Sequence, residues 1–230
     1  MEKTTPGPTT IQRTTLSGLV VEQVREAILS GAYGLGAPLN EVEIARQCGV
    51  SRGPVREAMQ RLVQEGLLTS TPHRGVSVPE LNDEDLRDVF FARYAIEGAA
   101  IRAVITAGKQ KETGDELLSI LSLMGASEKE EDWARVAELD LDLHSHIVVA
   151  AESARLQRMY RTLVAEMKLC FRLLLGGYRG REGIVESHEQ LIELIARGEL
   201  EKALDELAAH LDEPLQSLRA ARQAMAEQDA

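Results

Sequence analysis

Between Ser17 and Ser30 the apolar residues Leu19, Val20, Val24, Ala27 and Ile28 recur at helical spacing, and Gly31 and Gly34 end the period. A second, short helix is predicted over Glu41–Cys48, with Val42, Ile44 and Ala45 available for packing. Gly49-Val50-Ser51 then forms a turn. Ser51 is a good N-cap, and Pro54 falls in the first turn of the next helix, where a missing N–H costs little. That helix runs to about Glu65 with Val55, Ala58, Met59, Leu62 and Val63 on its apolar side. Leu67–Thr71 and Val76–Val78 read as two short strands around Pro72-His73-Arg74-Gly75. The order is helix, helix-turn-helix, hairpin.

Pro79-Glu80-Leu81-Asn82-Asp83 reads as a boundary, and beyond it the pattern predicts helices only. These cover about 83–107, 109–124, 128–151, 154–176, 182–197 and 199–226, separated by short breaks containing Gly, Ser or a charge. The expected fold is mainly α: an N-terminal winged helix-turn-helix followed by an antiparallel all-helical bundle. The expected division is a flexible tail over 1–14, a head over 15–79 and a helical domain over 80–230.

Composition adds limits. With 44% hydrophobic and 27% charged residues the chain can bury a core, and no apolar run reaches the roughly 18–20 residues of a membrane span. The Thr- and Pro-rich start has no secretory apolar stretch, so a cytoplasmic protein with two reduced thiols, Cys48 and Cys170, is expected. A net charge of −11 argues against nucleic acid until it is divided. Residues 1–80 carry eight basic and eight acidic side chains, so the whole excess falls on the helical part.

Arg52 and Arg56, four apart near the start of the third helix, stack on one side of it. In a helix-turn-helix that end enters the major groove, where a guanidinium fork matches guanine O6 and N7. Ser51 and Gly53 flank Arg52. Arg74 and Gly75 occupy the wing tip, where a missing side chain lets backbone approach DNA, and Arg46 on the preceding helix is placed to meet the backbone.

In the helical part, Asp140 and His144 project from one helix face shared with Trp133, Val136, Ile147 and Ala151. By themselves they also fit a surface i,i+4 pair. His188 and His210 are equidistant from position 199, inside a predicted turn, which puts them at one level of a helical hairpin, and His188 shares its face with Ile184, Leu191, Ile192 and Ile195. Three inward imidazoles and a carboxylate suit a divalent transition metal, zinc foremost, with nickel or manganese as alternatives. His146 falls on the opposite face, beside Asp142 and Arg135, and His73 belongs to the wing. Arg93 is placed either to grip a ligand carboxylate or to pair with Glu97 one turn on, and Arg172 is a second carboxylate-binding candidate.

The run Leu39-Asn40-Glu41, Ile44-Ala45, Gly49 to Ala58, Arg61-Leu62, Glu65-Gly66-Leu67 and Arg74-Gly75 resembles the GntR family of bacterial regulators. Several members of that family place a base-reading Arg where this chain has Val42. Asp140-x-x-x-His144, Glu186-Ser187-His188 and His210-Leu211, with Leu81, Asp85-Leu86, Val89, Arg93 and Ile96-Glu97, resemble the FCD domain of the FadR-type branch. The resemblance implies a homodimer that binds double-stranded operator DNA. It also implies a metal whose coordination sphere is completed by a small organic acid effector. The expected protein is a metabolite-responsive repressor. A constitutive DNA binder with a structural metal and a metal-dependent hydrolase are the alternatives.

Overall fold

A computed structural model describes residues 15–72, 74–178 and 184–228, with side chains described for 15–72, 74–170 and 184–216. Two compact units result. One takes in the chain up to Gln64 together with Leu68–Val78, and the other Glu65–Leu67 and everything from Pro79 onward.

The first unit is built from α1 (Leu16–Leu29), β1 (Pro38–Leu39), α2 (Glu41–Cys48), α3 (Arg52–Gln64), β2 (Thr69–Thr71) and β3 (Gly75–Ser77). Thr15 opens α1 by accepting from the Gly18 N–H, and Asn40 opens α2 by accepting from Val42 and Glu43. Gly49, at φ 65°, supplies the left-handed residue that ends α2 and turns the chain toward α3. Val20, Val21, Val24 and Ile28 of α1 meet Ile44, Ala45, Val55, Ala58, Met59 and Leu62 in the core. The buried stripe of α1 keeps the expected Val20, Val24 and Ile28 and differs at its edge, where Val21 is inside and Leu19 outside. Val42 is likewise exposed rather than packed.

The hairpin was expected as two strands, and a third joins it. β1 pairs antiparallel with β3, Leu39 opposite Val76, giving the order β1-β3-β2. A two-residue strand opened by Pro38 carries no alternation to read, and proline is tolerated there because the strand lies at the sheet edge.

The second unit is all helical: α4 (Asp83–Thr106), α5 (Gln110–Lys129), α6 (Trp133–Ala150), α7 (Ala154–Tyr178), α8 (Ile184–Ala196) and α9 (Leu200–Gln228). A capping box starts α4, Asn82 accepting from Asp85 N–H while the Asp85 carboxylate accepts from Asn82 N–H. Four of the connections are three residues long, and the middle residue of each is left-handed: Gly108, Glu131, Glu152 and Gly198. Such short links reverse the chain between packed neighbours.

One boundary moved. Helix α5 continues through Gly125-Ala126-Ser127, where a break was expected, and stops only at Glu130. Small residues inside a helix are tolerated when packing supports it. The turn is made instead by left-handed Glu131 and by Asp132, whose carboxylate accepts from Arg135 N–H.

Candidate functional site

Helix α6 brings Asp140 and His144, α8 brings His188 and α9 brings His210, all buried, and their ligating atoms lie within 4.8 Å of one another. The imidazole centroids are 5.4 Å apart for His144 and His188, 5.0 Å for His144 and His210, and 4.4 Å for His188 and His210. Helix packing sets these positions. Leu191, Ile192 and Ile195 bury α8 on the side that carries His188, while Ala203, Leu207 and Leu211 do the same for α9 around His210. Pro214, having no N–H, leaves the carbonyl of His210 without its helical donor one turn further on.

The partners of the second ring nitrogens assign the tautomers. His144 Nδ1 lies 2.7 Å from Glu97 Oε2, and His188 Nδ1 lies 2.6 Å from the Ile184 carbonyl oxygen. Both acceptors require a proton on Nδ1, which leaves the Nε2 lone pairs facing inward. There, His188 Nε2 sits 2.9 Å from Asp140 Oδ1 without a hydrogen bond, and His144 Nε2 sits 3.1 Å from His210 Nε2. Asp140 Oδ2 and His210 Nδ1 are buried with no partner.

His188 Nε2 and the Asp140 carboxylate face each other with no proton between them, and buried polar atoms left so are costly in a dry interior. A divalent ion held by Asp140, His144, His188 and one nitrogen of His210 would relieve that contact. Three imidazole nitrogens and one carboxylate oxygen form a borderline-soft set that fits zinc and its neighbours. Neighbouring ligand atoms around a five- or six-coordinate ion of this kind lie about 3 Å apart, as His188 and Asp140 do at 2.9 Å and His144 and His210 at 3.1 Å, so the residues fit the group and leave positions over.

The electrostatics agree with ligation, which needs neutral imidazole and ionised carboxylate. Burial, then the neighbouring imidazoles, holds His210 well below the ordinary histidine range. Burial and the Arg93 charge lower His144, against the pull of Glu97. Burial works to raise Asp140, but the facing imidazoles of His188 and His144, and after them the Arg93 charge, outweigh it and hold it well below the usual carboxylate range.

Sequence reasoning missed the roles of Glu97 and Tyr160. Glu97 is fully buried and accepts at Oε1 from Arg93 Nε (2.6 Å) and from the Tyr160 hydroxyl (2.6 Å), besides holding His144 through Oε2. Burial opposes its ionisation, yet His144 and Arg93 bring it down to about 2. The Arg93–Glu97 spacing was legible as an i,i+4 pair. Nothing in the sequence pointed to Tyr160, which reaches the site from α7.

The other expected residues are placed as follows. Arg93 makes its Glu97 pair and keeps one buried nitrogen, Nη2, without a partner. The Arg172 side chain and His73 lie outside the described residues. His146, expected to face solvent beside Asp142 and Arg135, is only partly exposed and meets Glu116 of α5 at 2.8 Å; Arg135 pairs with Glu138 instead. In the first unit Arg46, Ser51, Arg52, Gly53, Arg56, Arg74 and Gly75 are all exposed. Gly75 has φ 84°, a conformation that needs glycine at the wing tip, and no neighbour approaches its missing Cβ. Arg46 pairs with Glu43, while Arg52 and Arg56 share Glu41.

A winged helix-turn-helix followed by an all-helical unit with a buried Asp/His cluster defines a two-part DNA-binding regulator. The chain belongs to the GntR family of bacterial regulatory proteins, whose model matches residues 16–78, and carries an FCD domain over residues 88–213. It is 31% identical over 201 residues to the "Probable D-xylose utilization operon transcriptional repressor" of Paenarthrobacter nicotinovorans, covering 87% of this chain and 88% of that one. It is 28% identical to the gluconate operon transcriptional repressor of Bacillus subtilis (strain 168), over 76% and 74% of the two chains. A GntR transcriptional regulator of known structure from Rhodococcus sp. RHA1 superposes with a TM-score of 0.72 at 25% identity, covering 89% of this chain and 98% of that one. Family membership makes the protein a transcriptional regulator and not an enzyme, which removes the hydrolase alternative. Among the described residues no helix is long and apolar enough to cross a membrane.

Proposed function

We propose that this regulator is a metabolite-responsive repressor whose operator affinity is set at the Asp140, His144, His188 and His210 cluster. These four residues would hold a divalent transition metal, zinc ahead of nickel or manganese, and the ion would supply an open coordination position for a small organic acid. The observation that carries the reading is the buried, unpartnered His188 Nε2 facing the Asp140 carboxylate, with ligand atoms of His144 and His210 within 4.8 Å of both. The free Nη2 of buried Arg93 supports a carboxylate ligand, since a guanidinium edge matches that group. Two relatives are described as repressors of the D-xylose utilization and gluconate operons, which supports repression by a metabolite-responsive protein here.

In this reading the chain acts as a homodimer. Arg52 and Arg56 of each copy read base edges, Arg74 and Gly75 meet DNA at the wing, and Arg46, Ser51 and Gly53 contact the backbone. The two recognition helices lie about one helical turn apart on a pseudo-palindromic operator. An effector acts only through unequal affinity for the DNA-competent and DNA-incompetent arrangements.

The test is metal analysis of His188→Ala beside operator binding. The variant should lose bound metal and its response to a panel of small organic acids, and a full metal complement removes the proposed site. Metal retained by the wild type, with no acid in the panel altering operator binding, assigns the ion a structural role instead. Arg52→Ala with Arg56→Ala should abolish specific binding while the dimer stays folded; unchanged binding sinks the assignment of those two residues.

A further inference from the structure

The carboxylate of Glu41, in the first turn of α2, spans both arginines of α3. Its Oε1 accepts from Arg56 Nε at 3.3 Å, and its Oε2 from Arg56 Nη2 at 3.2 Å and Arg52 Nη2 at 3.4 Å. The Arg56 contact is a two-point, fork-to-carboxylate pair, the same edge a phosphate or a guanine would take. Arg52 is tied by one nitrogen only. Both guanidinium groups stay outside, 60% and 58% exposed, whereas Glu41 is 28% exposed. Its hydrogen bond from Arg56 holds Glu41 below the usual carboxylate range, against a small opposing effect of burial. One full negative charge therefore stands between two positive ones on the surface assigned to DNA.

We infer that Glu41 is a specificity-determining residue: it occupies the Arg52 and Arg56 guanidinium groups so that they are surrendered to guanine edges on the right operator but not to phosphates on arbitrary DNA. Non-specific binding comes almost wholly from phosphate neutralisation and its release of counterions. An acceptor already seated on the arginines cancels part of that attraction and repels the phosphates as well. A base edge at the correct position offers a directional pair of acceptors, which an unplaced phosphate does not, so displacement of Glu41 is favoured there. Arg46 differs. It is held by Glu43 on its own helix at 2.6 Å, away from the α3 pair, and Glu43 touches neither Arg52 nor Arg56. Specificity by repulsion of wrong partners is a general device. The inference rests on the reading of Arg52 and Arg56 as base contacts.

The experiment compares full-length wild type, Glu41→Gln and Glu43→Gln on two probes. One is the duplex that the wild type selects from a randomised pool, the other a scrambled duplex of equal length and composition, each titrated across a series of salt concentrations. Glu41→Gln should bind the scrambled duplex about tenfold more tightly, with the slope of log K against log salt steeper by about 0.9 for each arginine released. Its ratio of specific to non-specific affinity should fall about tenfold. Glu43→Gln makes the same change in net charge and should leave that ratio unaltered. Equal changes in both variants reduce Glu41 to a general charge effect and overturn the inference. So does a loss of specific binding with scrambled binding unmoved. Glu41→Asp keeps the charge but shortens the reach, and should lie between wild type and Glu41→Gln even if the glutamine variant folds poorly. If Glu41→Gln changes nothing while Arg52→Ala with Arg56→Ala abolishes specific binding, the gate fails and the base-reading assignment stands.

Discussion

His144 Nδ1 and Glu97 Oε2 are 2.7 Å apart and both completely buried, so a carboxylate from α4 fixes the tautomer of an imidazole on α6. The same carboxylate is the counter-ion of Arg93 and the acceptor of Tyr160. Partners of this kind orient metal ligands and sharpen their basicity, and their loss costs about 10–100-fold in metal affinity.

Tyr160→Phe should accordingly weaken metal binding in a chelator competition by up to about tenfold while the helical content stays unchanged. Glu97→Gln removes the counter-ion of a buried guanidinium and should cost about 3–5 kcal/mol in urea unfolding, besides the loss of metal affinity. Wild-type metal affinity in Tyr160→Phe would separate Tyr160 from the site.

Gly114 of α5 faces Ala196 of α8 so closely that a Cβ built on it would stand 2.7 Å from the Ala196 Cβ. Neither atom sits on a flexible arm. Gly114→Ala should push α8 outward and lower stability by about 1–2 kcal/mol, overpacking outweighing the gain in helix propensity. A thermal melt checks this, and metal affinity should fall with it because α8 carries His188.

Glu131 holds φ 58° in the α5–α6 turn, a conformation that L side chains adopt at a cost of roughly 1–2 kcal/mol. Glycine removes that cost but gives the unfolded chain more freedom, so Glu131→Gly should stabilise by about 0.5–1 kcal/mol. A lowered melting temperature would contradict the strain.

Burial pushes the Cys170 thiol up to about 12 from an ordinary value of 9.0, with the nearby Glu166 charge adding to it. The sign follows from the folded state holding this proton more tightly than the unfolded state. The contribution to stability is intact below pH 9 and is lost as pH rises toward 12. At pH 8 a thiol reagent should titrate partly exposed Cys48 in the native protein and reach Cys170 only after unfolding. Two equally fast native thiols would refute the burial of Cys170.

Periodicity and capping were enough to read the helix-turn-helix, the wing and the run of helices from the chain itself, because each depends on neighbours within a turn or two. The Asp140–His144 spacing and the level relation between His188 and His210 were legible for the same reason: one is helix geometry, the other hairpin geometry. The two-residue strand at Pro38, the inward turn of Val21 and the persistence of α5 through Gly125 were not, since packing against other elements decides them. Tertiary structure alone placed Glu97 and Tyr160 beside His144, across sequence separations of 47 and, from Tyr160 to Glu97, 63 residues. It alone, too, laid Glu41 across two arginines of the next helix. Which ligands exist is a matter of local spacing; what holds them in place is set by the meeting of faces from distant helices, and no pattern along one helix encodes that meeting.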